Sequence, residues 1–171
     1  MLKDKNIVLG ITGGIAAYKT AELTRELVKR GARVKVIMTR NATRFIGPLT
    51  LQTLSCNPVY GDMFTLSGDW DIHHISLAQS ADILIVAPAT ANMIGKIASG
   101  IADDLLSTTI TATKAPVLIC PAMNTNMYDN PILRSNMARL SSVGYLFMDA
   151  GYGELACKTE GAGRLPDPID I

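Results

Sequence analysis

The chain has 171 residues, 48% of them hydrophobic and 18% charged, with a formal net charge of +1. This is the length of one domain with enough apolar residues for a real core, which excludes a disordered chain. Sixteen basic residues against fifteen acidic ones set up no field that would recruit nucleic acid or an anionic membrane; neither is expected as a partner, and any phosphate must be held locally. The mean hydropathy is +0.23, yet the apolar runs at 83–89 and 117–122 fall far short of the ~20 residues that a bilayer requires. Residues 1–6 lead into a strand-like run without a signal-peptide core, so a cytoplasmic location is expected.

Short apolar runs alternate with helical periodicity along most of the chain. That alternation predicts an α/β fold: a single doubly wound domain with a mostly parallel central sheet. The first strand, 7–11, breaks at Thr12-Gly13-Gly14 into a helix over 15–30, with Ala16, Thr20, Leu23 and Leu27 on one face and Gly31 as its left-handed cap. A second strand covers 33–38 and a helical stretch 48–54. Residues 61–71, with Trp70, read as irregular, and 73–81 as a short helix. A buried strand over 82–87 ends at Pro88, helices follow at 92–99 and 104–113, and a second buried strand over 116–120 ends at Pro121. A helix over 130–142 has Pro131 in its first turn. The last strand is 145–148, and the remaining C-terminal stretch reads as loop.

Three cysteines at Cys56, Cys120 and Cys157 make no disulfide framework, and their spacing is not that of a zinc site. With His73 and His74 as the only imidazoles, no metal is expected. Cys120 and Cys56 read as small buried hydrophobes. Cys157 lies in a polar, glycine-rich stretch that no core would select.

Open parallel sheets bind ligands beyond the carboxyl ends of their strands. At the first such end, Gly13, Gly14, Ile15 and Ala16 form a glycine turn into a helix, where an anion can meet backbone N–H groups. A triphosphate loop would need glycine where Tyr18 stands, which argues against a nucleoside triphosphatase. After the second strand, Thr39-Arg40-Asn41 replaces the acidic residue that would hold the ribose of NAD. Arg40 leaves NADP open, and a hydroxyl beside an arginine suits a ligand with one phosphate, such as FMN. Beyond the third strong strand, Thr90, Ala91, Asn92 and Met93 combine small residues with hydrogen-bonding groups. Beyond the fourth, Ala122, Met123, Asn124 and Tyr128 belong to a stretch dense in methionine and asparagine.

Taken together, these segments resemble the homo-oligomeric flavin-containing cysteine decarboxylases along essentially all 171 residues. Gly13-Gly14-Ile15-Ala16 is similar to the family's flavin-phosphate turn, and His74-Ile75 to the segment of its essential histidine. Residues 88–93 resemble its Pro-Ala-Ser-Ala-Asn-Thr motif, and 121–128 its Pro-x-Met-Asn-x-x-Met-Trp motif. Ala156-Cys157 through Gly161-x-Gly163-Arg164 resembles its mobile substrate clamp, expected as a loop at about 149–166 within one domain, 1–171. Thr90 stands for serine, Met93 for threonine, Tyr128 for tryptophan, and Lys158 where a glycine is usual.

The resemblance implies FMN held by Gly13, Gly14, Ile15, Ala16, Thr39, Thr90, Ala91, Asn92, Met93 and Ala122. It further implies decarboxylation of 4′-phospho-N-pantothenoylcysteine to 4′-phosphopantetheine, in coenzyme A biosynthesis. Direct loss of CO₂ would leave an unstabilised carbanion, so the CH₂–SH group is first oxidised to a thioaldehyde whose C=S accepts the electrons; the flavin later returns hydride. His74, with an imidazole of reference pKa ~6.5, is the implied base for the thiol proton. Cys157, a thiol of reference pKa ~8.5, is the implied final acid. His73 is expected to be solvated or helix-capping.

Asn124 is the implied ligand of the substrate carboxylate, which it orients without the ground-state stabilisation of a salt bridge. Met123, Ala156, Lys158 and Arg164 complete the substrate set, the last two as candidates for its phosphate. A homotrimer or homododecamer is implied, with the flavin between subunits and His74 available from a neighbour; a fused or separate phosphopantothenate-cysteine ligase is a possible partner. A peptidyl-cysteine decarboxylase, a non-catalytic flavin-binding regulatory subunit, a flavin prenyltransferase and a flavodoxin-like electron carrier are the alternatives.

Overall fold

The structure is a computed structural model and describes residues 2–64, 72–156, 158 and 160–171. Among these residues the strands β1 (Asn6–Ile11), β2 (Arg33–Met38), β3 (Val59–Tyr60), β4 (Ile83–Ala89), β5 (Val117–Pro121) and β6 (Leu146–Phe147) form one sheet in the order β3-β2-β1-β4-β5-β6. Every neighbouring pair is parallel. The connecting helices are α1 (Thr20–Lys29), α2 (Pro48–Ser55), α3 (His73–Ser80), α4 (Ala91–Ala98), α5 (Leu105–Ala112), α6 (Thr125–Tyr128) and α7 (Pro131–Ser142).

Strand periodicity divides the core in two. In β1, Ile7, Leu9 and Ile11 join Leu23 and Leu27 of α1 and Leu51 of α2 on one face. Val8 joins the other face, with Leu77 of α3, Ile94 of α4, Leu106 and Ile110 of α5, and Leu140 of α7. A strand covered on both faces has no polar side to show, which is why its sequence is continuously apolar. Strand order reverses between β1 and β4, since the chain builds outward to β3 and then returns to the other side of β1. The crevice beyond the carboxyl ends of these two strands is the topological switch point.

Several sequence expectations change in detail. The first turn of the long predicted helix is a 3-10 turn, Ile15–Lys19, that passes into α1; Gly31 caps the end with φ +88. The third strong strand does not stop at Pro88 but continues to Ala89, and the fourth includes Pro121. Proline lacks the ladder N–H; here β4 and β5 shift register between Val86 and Ala89, and the Pro88 carbonyl is met by Thr12 instead. The last strand is only Leu146–Phe147, and β3 and α6 are additions.

Two expectations are overturned. The C-terminal stretch is not all loop: β7 (Gly151–Glu154) and β8 (Glu160–Arg164) pair antiparallel as a hairpin. Cys56 is exposed, not buried, because α2 ends at Ser55 and the next residue takes the left-handed conformation, φ 53, that turns a C-cap side chain away from the helix. Cys120 is buried as expected, and burial pushes its thiol up to about 12, which leaves no thiolate for chemistry. Cys157 and Trp70 lie outside the described residues.

Candidate active site

Four strand ends converge at the switch point, and backbone chemistry joins them. Gly14 follows β1 in extended conformation, φ −148, and starts the 3-10 turn with no side-chain cap. Gly13 lies flush on the loop after β2: a methyl there would overlap the Asn41 Cβ and stand 2.9 Å from the Asn41 carbonyl carbon. That close approach, not a freedom of φ, is why the position takes glycine. Gly13→Ala is expected to destabilise the fold by ~1–3 kcal/mol through overpacking, seen as a lower Tm in a thermal melt of the variant.

From the end of β2, the Thr39 N–H donates to the Ile11 carbonyl at 3.0 Å, and the Thr39 hydroxyl accepts the Ala42 N–H at 3.3 Å. After β4, Thr90 caps α4 by accepting the Met93 N–H at 3.4 Å. Each hydroxyl still has its proton to donate. Ala91 is half-buried and Asn92 exposed. The Met93 side chain is 1% exposed and packs within the core cluster around α4. After β5, the Ala122 N–H donates to the Ala89 carbonyl at 3.1 Å, which ties the fourth strand end to the third.

The Asn124 side chain accepts the Asn126 N–H at 2.9 Å and thereby caps α6. Next to it the hairpin is pinned to the sheet, as the Met123 N–H donates to the Gly163 carbonyl at 2.9 Å. Gly163 has φ +137, and a Cβ on it would collide with the Met123 carbonyl oxygen, so the anchor admits no side chain. Tyr128 is buried beneath the Arg134 guanidinium, 4.6 Å from the ring centroid, an arrangement that an indole in its place would share.

His74 is half-buried in the first turn of α3, on the carboxyl side of the sheet. His73 is half-buried and is not the cap, a position that Ile72 takes; its ring meets Tyr60 edge-on at 5.2 Å. On the hairpin, Ala156 and Lys158 are exposed near the tip, and Lys158 has φ 62, the left-handed conformation that favours the glycine usual there.

Arg164 is at the opposite end of the hairpin, on the order of 15–20 Å of strand away at ~3.3 Å per residue. It shares an open cleft of about 530 Å³ with Asp149, Asp167 and Asp170. Three carboxylates beside it make that cleft a poor seat for phosphate. The Arg164 side chain nevertheless reaches along the hairpin to Gly153, where its Nη1 would stand 2.8 Å from an added Cβ. The residue that sequence reasoning missed is Thr12; its signal was a hydroxyl at the end of an otherwise apolar, fully buried strand.

The crevice offers backbone N–H groups, two hydroxyls with protons to donate and small side chains at Gly13, Gly14, Ala16, Ala91 and Ala122, with the apolar Ile15 and Tyr18 exposed at its rim. This neutral donor set, with no carboxylate among it, suits a planar group carrying one phosphate.

The flavoprotein family profile matches residues 1–171. The chain is 52% identical over 171 residues to the coenzyme A biosynthesis bifunctional protein CoaBC of Bacillus subtilis (strain 168), covering 100% of this chain and 42% of that protein. It thus spans less than half the length of such curated relatives. Among solved structures, a cysteine-to-serine mutant of PPC decarboxylase complexed with pantothenoylaminoethenethiol superposes with a TM-score of 0.90 at 29% identity, over 99% of this chain and 94% of that one. The FMN-dependent cysteine decarboxylase SpaF gives 0.85 at 26% identity, over 99% and 95%. With its whole length matched, the chain belongs to the flavoprotein family.

Proposed function

We propose that this chain binds FMN in the switch-point crevice and decarboxylates 4′-phospho-N-pantothenoylcysteine to 4′-phosphopantetheine. The observation that carries the reading is the neutral crevice of small residues with Asn124 beside it, on a strand end that the substrate clamp also reaches. The whole-length similarity to the CoaBC relative and to the PPC decarboxylase supports the choice of substrate. When bound, the flavin supplies a two-electron reservoir that makes thiol oxidation, and hence CO₂ loss, accessible without any net redox change.

The residues of the chain do the rest. Ile15 and Ala16 present backbone N–H groups to the flavin phosphate, the Gly14 N–H being taken by the Thr12 carbonyl at 3.0 Å, and the Thr39 and Thr90 hydroxyls donate to the flavin. His74 removes the thiol proton. Asn124, its side-chain oxygen set by the α6 cap, orients the carboxylate with an uncharged amide, so that the leaving charge is not held back. Cys157 returns a proton at the end, and Lys158 meets the substrate phosphate. The assembly proposed is a homotrimer or homododecamer in which a neighbour supplies His74. The cytoplasm, and a ligase partner either fused, as in the bifunctional relatives, or separate, complete the proposal.

Similarity to SpaF favours a second reading, a peptidyl-cysteine decarboxylase. Mass spectrometry separates the two: FMN-loaded protein is incubated with 4′-phospho-N-pantothenoylcysteine and, separately, with a peptide ending in cysteine. Loss of CO₂ from the first, with a product at the mass of the saturated thiol, is expected. Turnover of the peptide alone would overturn the assignment.

A further inference from the structure

The two strands that flank the switch point separate at their carboxyl ends. Parallel pairing of β1 with β4 runs from Ile7↔Ile83 to Gly10↔Val86 and goes no further. Beyond it, one side chain bridges the gap. The Thr12 hydroxyl donates to the Pro88 carbonyl at 2.6 Å and accepts the Thr90 N–H at 3.0 Å, and the Thr12 N–H approaches the same Pro88 carbonyl at 3.3 Å. Thr12 is 1% exposed.

A hydroxyl has a single proton. In Thr12 that proton is committed to Pro88, and the oxygen is occupied by Thr90, so the group has nothing to give to a phosphate. What it does instead is set the position of Thr90. Thr90 in turn caps α4, and its methyl would stand 3.8 Å from a Cβ on Gly14 across the crevice. The glycine turn of β1 and the cap of α4 are therefore held in one geometry through one buried oxygen.

We propose that Thr12 is a positioning residue of the flavin site, fixing the β1 turn and the β4 turn relative to each other so that both meet the same ligand. The proposal rests on the FMN reading above and adds a residue that does not touch the cofactor. Thr12→Val keeps the shape and removes the hydroxyl, leaving the Thr90 N–H without its acceptor. Thr12→Ser keeps the hydroxyl.

The test is an FMN fluorescence titration of flavin-free protein, well below the unfolding temperature of each variant, together with the visible spectrum of the bound flavin. Thr12→Val is expected to weaken FMN by about tenfold or more, as loss of a buried hydrogen bond implies, and to alter the fine structure of the flavin band. Thr12→Ser should stay within about threefold of the parent by the same measure. Thr109→Val is the control for plain destabilisation: Thr109 is equally buried, and its hydroxyl donates to the Leu105 carbonyl at 2.7 Å within α5. It should lower Tm and leave FMN affinity unchanged.

Parent-like affinity and spectrum in Thr12→Val, or equal weakening by Thr12→Ser, would overturn the proposal. Should Thr12→Val not fold, amide hydrogen exchange of the unsubstituted protein decides: the Thr90 N–H must be protected, and fast exchange there sinks the bridge. If the unsubstituted protein takes up no FMN, the FMN reading fails, and with it a flavin role for Thr12, even where Thr90 is protected.

Discussion

Replacing His74 by asparagine is expected to slow CO₂ release from 4′-phospho-N-pantothenoylcysteine by ~10²–10⁴-fold, the usual loss when a positioned base is removed. Asparagine occupies similar space and keeps hydrogen-bonding capacity, but it has no basic nitrogen near neutral pH, so the thiol keeps its proton and oxidation does not start. FMN uptake should be unaffected, because none of the crevice donors comes from α3. His73→Asn is the matched control. The His73 ring is engaged with Tyr60 at 5.2 Å, and its loss should alter activity only by a few-fold, through packing. Stopped-flow measurement of CO₂ release, beside the flavin absorbance of each variant, checks both statements. Full turnover by His74→Asn would remove the base assignment.

Cys157→Ser is expected to divide the reaction at its last step. Decarboxylation proceeds once per flavin, which is left reduced, and yields the enethiol, two hydrogens lighter than the saturated product, because a serine hydroxyl is far too weak an acid to replace a thiol of reference pKa ~8.5. A single incubation read by mass spectrometry distinguishes the enethiol from the saturated thiol. Formation of saturated product by Cys157→Ser would transfer the acid role to another group.

Where burial on both faces left an unbroken apolar run, the sequence was easy to read: β1, β2, β4 and β5 all fall within a few residues of expectation. Proline misled at Pro88 and Pro121, since the loss of one ladder N–H is tolerated when a register shift and a side-chain donor absorb it. The hairpin of β7 and β8 was illegible for a different reason. Its residues Gly151, Gly153, Gly161 and Gly163 suppress strand propensity, and its partner contacts come from Met123 and Thr125, far away in sequence. Cys56 was misjudged because a C-cap conformation, not hydrophobicity, decides where its side chain points.

For the candidate site, motif position located the strand-end segments and the fold brought them to one edge. It could not show that Met93 turns inward, that Lys158 and Arg164 stand at opposite ends of the hairpin, or that Thr12 is already fully engaged. Each of those depends on a side chain's neighbours across the sheet, which no local pattern encodes.

The sheet's outer strands, Val59–Tyr60 and Leu146–Phe147, are two residues each. Margins so short give an incoming chain almost no template for lateral addition, and so little foothold for amyloid-like growth. The central hydrogen-bond ladder is therefore closed to lateral growth when copies of this molecule crowd together.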